Sequence, residues 1–104
     1  MAARNIKSAE FEQLLSQEKP VLVDFWAAWC GYCRRIGPAY DRLAEEHKDI
    51  EVVKINIDEE PLIANREQIE VIPTMVLYRG GQAIGSIVAP ESKAAIETFI
   101  QENL

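Results

Sequence analysis

Residues 21–27, VLVDFWA, place apolar side chains on both faces of a predicted strand and interrupt them with one acid, Asp24. A strand with one solvated face alternates apolar and polar residues, whereas a strand covered by helices on both sides is apolar throughout. The segment therefore predicts a central strand between two helical layers. This prediction restricts the fold strongly, because it requires a sheet with helices above and below it.

The segments around this strand alternate between helical and extended periodicity. Helices are predicted at about 8–17 (capped by Ser8), 31–47 (kinked at Pro38), 59–68 (with Pro61 in the first turn) and 91–104. Further strands are predicted at 51–58, 74–78 and 83–89, and the glycine pair of RGGQ suits a tight hairpin between the last two. We predict one α/β domain over residues 1–104, a three-layer α/β/α sandwich. Its central mixed sheet has four to five strands and is flanked by about four helices.

The charge balance limits the classes of partner. The chain carries 17 acidic and 11 basic residues, a net charge of −6, so we expect neither nucleic acid nor a membrane surface, which both require a positive field. It contains no apolar run of about 18 residues that would span a membrane. The polar segment after Met1 lacks the apolar stretch of a secretory signal. The lack of a signal segment and the presence of only two cysteines together favour a reducing compartment, so a cytoplasmic location is expected.

Those two cysteines, Cys30 and Cys33, form a C-x-x-C pair directly after the central strand. A zinc or iron–sulfur site normally needs four ligands, and the single histidine, His47, is expected at a solvated helix end about 20 Å away. An intrachain metal site is therefore disfavoured, although a cluster shared between two chains stays open. A purely structural disulfide is a second alternative, but so short a loop removes little entropy from the unfolded chain.

Redox chemistry is the third interpretation of the pair, and its position supports it. Cys30 lies where the strand ends and the helix begins, where unpaired N–H groups and the helix dipole stabilise an anion. A thiolate there has a lowered pKa and is the nucleophilic form. Cys33 follows one helical turn later, close enough to displace a partner from a mixed disulfide. We therefore predict Cys30 as nucleophile and Cys33 as resolving thiol.

Several segments together resemble the thioredoxin family. VLVDFWAAWCGYC followed by RRIGP resembles the active-site segment of that family. KINID (54–58), VIPT (71–74), the hairpin glycines and the closing SKAAIETFIQENL follow in the family's order and spacing. A C-x-x-C pair alone is a weak signal, but this combination is specific, and the resemblance covers nearly the whole chain.

The resemblance implies that Pro73 is a cis proline facing the disulfide; the residues alone indicate only a turn or edge position for a proline just before a strand. It also implies an apolar rim around Cys30, which suits docking of an extended peptide beside a disulfide. The residues expected to contact substrate are Trp29, Gly31, Tyr32, Ile72, Pro73 and Ala89.

The acid inside the strand has two interpretations. Burial without a charged partner raises the pKa of a carboxylate, and Lys54 in the next strand is the expected neighbour of Asp24. One interpretation is a buried Asp24–Lys54 ion pair kept for packing or specificity, which rarely adds net stability. The other, which the resemblance supports, makes Asp24 the proton acceptor for the Cys33 thiol, directly or through water. Asp24 and Lys54 are therefore candidate catalytic residues.

Two residues depart from the family's pattern. Tyr32 replaces the proline that is usual between the cysteines, which frees a backbone N–H near the Cys30 sulfur. An additional donor should stabilise the thiolate and make the couple more oxidising. Ala89 stands where the family has a glycine beside the docking groove. A glycine lets a partner backbone approach closely, so the methyl group is expected to narrow the range of partners.

The predicted function is reduction of protein disulfides by dithiol exchange. The resemblance implies recharging by a thioredoxin reductase, of either the NADPH/flavin or the ferredoxin type, and we expect a monomer without cofactor or metal. A disulfide isomerase or oxidant of the same fold is an alternative, because an aromatic residue or histidine follows the glycine in such proteins. A binding or chaperone module is a third possibility, but a scaffold has no need of an activated cysteine pair.

Overall fold

The strand predicted around Asp24 lies at the centre of a five-stranded mixed sheet in the computed structural model, which describes residues 2–104. The elements along the chain are β1 (Arg4–Asn5), α1 (Ser8–Leu15), β2 (Val21–Trp26), α2 (Gly31–Glu46), β3 (Glu51–Asn56), α3 (Pro61–Arg66), β4 (Thr74–Arg79), β5 (Gln82–Val88) and α4 (Lys93–Asn103). The strand order is β1-β3-β2-β4-β5. β1, β3 and β2 run parallel, while β4 is antiparallel to both β2 and β5. The predicted parallel core with an antiparallel hairpin at its edge is confirmed.

Alternating residues of β2 enter two hydrophobic clusters, one on each face of the sheet. On one face α1 and α3 pack against β2, with contributions from Phe11, Leu14, Ile63, Val21, Val23 and Phe25. On the other face α2 and α4 pack against β2 and β4, with contributions from Leu22, Ile36, Tyr40, Leu43, Met75, Leu77, Ile96 and Phe99. The predicted three-layer sandwich is therefore correct, and Asp24 shares the α2/α4 face with Leu22.

The register of β2 brings two loops together at one end of the sheet. Phe25, near the end of β2, pairs with Ile55 of the parallel β3 and with Thr74 at the start of the antiparallel β4. The segment that leaves β2 toward Cys30 and the segment that enters β4 through Pro73 consequently lie side by side.

The hairpin between β4 and β5 turns at Gly80 and Gly81, whose φ angles are 62° and 80°. Two consecutive left-handed residues match the turn that joins twisted strands, and glycine adopts them without steric cost. Leu77 pairs with Gly85 and Tyr78 with Ala83, so Ile84 is an extra residue that bulges out of β5.

Both ends of α1 differ from the expectation. The α1 helix ends at Leu15, and its N-cap is Lys7, which makes no side-chain capping bond. Ser8 does not cap the helix; its backbone N–H donates instead to Glu60 Oε1 at 2.9 Å. A carboxylate at this position satisfies one of the unpaired donors of the first turn and interacts favourably with the helix dipole. The α2 helix continues through Pro38 to Glu46.

His47 at the end of α2 is not a solvated residue, contrary to expectation. Its side chain is 18% exposed, and both ring nitrogens contact carboxylates: Nδ1 lies 3.1 Å from Asp49 Oδ1 and Nε2 lies 2.6 Å from Glu97 Oε1. The ring therefore connects the end of α2 to α4.

Among residues 2–104 no helix is long and apolar enough to cross a membrane.

Candidate active site

Cys30 and Cys33 lie at the junction predicted for them, between the end of β2 and the first turn of α2. They are bonded to each other as a disulfide and are 8% and 4% exposed. Cys30 is the N-cap of α2, and its Sγ accepts a hydrogen bond of 3.2 Å from the backbone N–H of Cys33. The sulfur of Cys30 thus occupies the position where a helix N-terminus stabilises negative charge.

The backbone donor that contacts this sulfur belongs to Cys33, whereas the expected additional donor was the N–H of Tyr32. No hydrogen bond from Tyr32 N to a cysteine sulfur is found in the described part of the chain. The Tyr32 N–H is one of the first N–H groups of α2, which have no partner within the helix.

The loop before β4 lies against the disulfide. The Ile72–Pro73 peptide bond is cis, as the resemblance implied. The carbonyl oxygen of Ile72 is 4.0 Å from Cys30 Sγ, and the side chain of Ile72 packs against the two cysteines. The structure therefore brings Cys30, Cys33, Ile72 and Pro73 together.

Three exposed apolar side chains adjoin this centre: Trp29 is 66% exposed, Val71 56% and Val88 52%. Trp29 directly precedes Cys30, Val71 precedes Ile72, and Val88 pairs with Thr74 across β4 and β5. The sequence analysis identified Trp29 but missed the two valines. Their signal was weak, because a single valine beside a proline or at a strand end is ordinary.

Asp58 is a further residue that the sequence did not indicate. Its carboxylate Oδ2 accepts a hydrogen bond of 2.8 Å from the indole Nε1 of Trp29, which is otherwise largely solvent-exposed. Asp58 follows β3, so β3 fixes the orientation of an aromatic ring beside Cys30.

Gly31, at the first position of α2, is exposed, and a side chain there would extend into open space.

Asp24 is buried in the sheet, with 2% of its surface exposed, and its Oδ1 accepts no hydrogen bond from the described residues. Burial raises the pKa of this carboxyl from 3.8 to about 7; the Lys54 ammonium partly opposes the shift and the Asp41 carboxylate adds to it. A carboxyl with this pKa exchanges protons near neutral pH, as a general base requires.

Lys54 is the register partner of Asp24 in the neighbouring parallel strand. Its ammonium lies over the Trp26 ring, 5.2 Å from the ring centre, an arrangement typical of a cation–π contact. Residues 2–104 contain no Asp24–Lys54 ion pair, so the structure does not support the interpretation of these two residues as a buried ion pair. Lys54 acts on Asp24 through its field and on Trp26 by contact.

Tyr32 and Ala89, the two departures from the family's pattern, are connected through Pro90, the residue that follows Ala89. The Tyr32 hydroxyl donates to the carbonyl oxygen of Pro90 at 2.8 Å. Ala89, which precedes Pro90, has φ of 45° and donates its N–H to the carbonyl oxygen of Pro73 at 2.9 Å. Tyr32 is half-buried and packs against the core, so it is less exposed than a simple rim residue.

No cluster of three or more histidine, cysteine, aspartate or glutamate side chains suited to a metal ion occurs in residues 2–104. The bonded cysteine pair, the cis proline and the buried acid are the features that define the site.

The family model described as thioredoxin matches residues 2–102. The chain belongs to the thioredoxin family.

Named thioredoxins are similar over most of the chain. A thioredoxin from Streptomyces clavuligerus is 45% identical over 94 residues, covering 89% of this chain and 88% of the relative. A thioredoxin structure from Malassezia sympodialis superposes with a TM-score of 0.88 at 30% identity, covering 98% of this chain and 90% of that one. A bifunctional thioredoxin reductase/thioredoxin from Mycobacterium leprae is 44% identical over 87 residues, which are 83% of this chain and 19% of that protein.

Membership of the thioredoxin family, together with a bonded C-x-x-C pair, makes this chain a thiol–disulfide oxidoreductase of the protein-disulfide reductase type. In this thioredoxin-family chain the segment between the cysteines carries Tyr32, whose hydroxyl connects that segment to Pro90.

Proposed function

We propose that residues 1–104 act as a single domain in which Cys30 is the nucleophile and Cys33 the resolving thiol of protein-disulfide reduction. The position of Cys30 Sγ at the N-cap of α2, in contact with the Cys33 N–H, carries this assignment. The dipole of α2 and this donor favour the thiolate of Cys30 over that of Cys33.

The reaction balances in two exchanges. The Cys30 thiolate attacks one sulfur of the substrate disulfide, forms a mixed disulfide and releases the other substrate sulfur as a thiolate. The Cys33 thiol then passes its proton to Asp24, directly or through water. It attacks Cys30 Sγ, which forms the Cys30–Cys33 disulfide and releases the second substrate thiolate. Two electrons pass from the dithiol to the substrate, and the protons of the dithiol end on the two product thiols.

Asp24 supports this scheme as a proton acceptor because its pKa of about 7 allows it to accept and return a proton at neutral pH. Lys54 is proposed to act through its field, since it lowers the pKa that burial raises. The apolar side chains beside Cys30 are proposed to bind substrate, and Gly31 to leave the helix start open. The proposed binding residues are Trp29, Gly31, Tyr32, Ile72, Pro73 and Ala89.

The proposed electron donor is a thioredoxin reductase, since the reductase/thioredoxin of Mycobacterium leprae joins both activities in one chain. The type of reductase, NADPH/flavin or ferredoxin, is testable by supplying each to the oxidised protein and following the appearance of two thiols. A monomer in the cytoplasm completes the proposal; light scattering tests the first and fractionation of the source cells the second.

A matched pair of serine variants tests the cysteine roles. Cys33→Ser should accumulate a mixed disulfide with a disulfide-bonded protein such as insulin, detected by mass spectrometry without reductant. Cys30→Ser should form none, because the remaining thiol lacks the activating position at the helix start. Equal trapping by both variants, or insulin reduction by Cys30→Ser at the wild-type rate, would contradict the assignment.

A further inference from the structure

Ala89 holds a backbone conformation that alanine disfavours. Its φ of 45° lies in the left-handed region, where the Cβ atom crowds the backbone of any residue other than glycine. The following residue is Pro90, and a residue before proline prefers an extended conformation. An unrestrained Ala89 would therefore relax toward extended backbone, so contacts around it have to maintain the observed conformation.

Two hydrogen bonds bracket Ala89 and connect it to opposite walls of the active site. On one side the Ala89 N–H donates to Pro73 O at 2.9 Å, in the loop that faces the disulfide. On the other side Pro90 O accepts from the Tyr32 hydroxyl at 2.8 Å, in the turn between the two cysteines. Pro90 is buried and its φ is fixed by its ring, so a restraint on its carbonyl also restrains the backbone of Ala89.

The Tyr32 ring is held firmly enough to provide such a restraint. It packs against the cluster of α2 and α4 and also against the cluster that contains both cysteines. The hydroxyl therefore has a fixed position. Along the chain Tyr32 directly precedes Cys33 and lies two residues after Cys30.

We propose that Tyr32 is a positioning residue for substrate docking, whose hydroxyl holds Ala89 in the left-handed conformation through Pro90. The inference rests on the proposed function, since the segment it positions is the one proposed to bind substrate. Tyr32 and Ala89 are then a compensating pair: a glycine at 89 would adopt this backbone unaided, whereas alanine needs the hydrogen bond from Tyr32.

The positioned segment matters for protein substrates in particular. Val88 is 52% exposed and Ala89 is also exposed, beside the loop of Ile72 and Pro73. An extended polypeptide that docks along exposed backbone depends on the direction of each N–H and C=O group. A small disulfide needs only access to Cys30, so it is insensitive to the conformation of Ala89.

A double-mutant cycle of Tyr32→Phe and Ala89→Gly tests the coupling. Each variant is assayed with insulin and with hydroxyethyl disulfide. The compared quantity is the KM for insulin divided by the KM for hydroxyethyl disulfide. Tyr32→Phe removes one hydrogen bond and should raise the ratio about three- to tenfold. In the Ala89→Gly background the same substitution should raise it less than about twofold. Tyr78→Phe is the matched control, since it removes a phenolic hydrogen bond to Glu67 outside the site, and it should leave the ratio unchanged.

A direct measurement accompanies the kinetics. The ¹³Cβ chemical shift of Ala89 reports its backbone conformation and should move toward the extended range in Tyr32→Phe. An unmoved shift, or an equal rise of the KM ratio in both backgrounds, would overturn the proposal. A parallel loss with both substrates would also overturn it and assign Tyr32 to the thiol chemistry. Failure of the proposed function is a separate outcome, because it appears as insulin reduction by Cys30→Ser.

Discussion

Lys54 is the cross-strand partner of Asp24, yet its ammonium lies over the Trp26 ring at 5.2 Å and makes no ion pair with the carboxylate in the described structure. Asp24 is therefore buried near the positive charge of Lys54 but has no ion-pair partner among residues 2–104 that would stabilise its ionised form. This relationship explains why burial is the largest influence on the Asp24 pKa and why Lys54 opposes it only in part.

Asp24→Asn should stabilise the fold above neutral pH. The native pKa is about 7 and the ordinary value 3.8, so between these values the unfolded chain is ionised while the native carboxyl keeps its proton. Native stability thus falls as pH rises through this window, and the full penalty applies above about pH 7. We expect Asp24→Asn to raise the free energy of unfolding by about 2–4 kcal/mol at pH 8 and by little below pH 4. Urea unfolding across pH measures this difference; a gain independent of pH would contradict it.

The same substitution should slow release of substrate from the mixed disulfide. At pH 7 the Cys33 thiol needs a proton acceptor, and loss of a general base typically costs tenfold or more. Above about pH 9 a thiol ionises by itself, so the rates of Asp24→Asn and wild type should converge. Stopped-flow measurement of the second thiol released from insulin checks this. Equal rates at pH 7 would remove Asp24 from the mechanism, and a deficit that persists at high pH would indicate a packing effect instead.

Tyr32→Pro should make the Cys30–Cys33 couple more reducing. Proline removes the backbone N–H at the second position of α2, and this group has no partner within the helix. In the disulfide form described over residues 2–104 this N–H makes no hydrogen bond to a cysteine sulfur, and the donor to Cys30 Sγ is the Cys33 N–H. We therefore expect it to act on the thiolate of the reduced form, and its loss to lower the potential by at most about 30 mV, the equivalent of one charge-assisted hydrogen bond. Equilibration with glutathione measures the potential, and Tyr32→Phe is the control that keeps this N–H. A potential equal to or above that of the wild type would contradict the prediction.

His47→Gln should destabilise the protein most at low pH. Burial lowers the pKa of His47, but its hydrogen bonds to Glu97 and Asp49 outweigh burial and raise it above 6.5. Since the native pKa is raised, the stabilisation is full below the unfolded pKa and disappears as pH rises through the native pKa. We expect a loss of about 0.5–1 kcal/mol at pH 6, limited by solvent screening, and a smaller loss at pH 9. Thermal unfolding at both pH values tests this, and a pH-independent loss would refute the charged bridge.

The order of strands and helices could be predicted from the sequence, because apolar residues recur with the period of the helix or strand that buries them. Contacts between residues that are far apart in the chain could not. Ser8 meets Glu60 from 52 residues away, His47 meets Glu97 from 50, and Tyr32 meets Pro90 from 58. No local period encodes such contacts, and each depends on how two elements approach in the folded chain. Asp24 was recognisable because a lone acid in an apolar strand conflicts with its surroundings, whereas Asp58 beside Trp29 looked like any surface acid.

The bulge at Ile84 also affects whether another polypeptide chain can pair with the outer edge of the sheet. β5 is the outer strand of the sheet and contains no charged residue over Gln82–Val88, although charges are a common protection of exposed strand edges against pairing with another molecule. The extra residue, the third of the seven in the strand, interrupts the regular spacing of the outer N–H and C=O groups. A neighbouring chain would find only two short runs to pair with, so an irregularity in the backbone protects this edge against growth into a sixth strand.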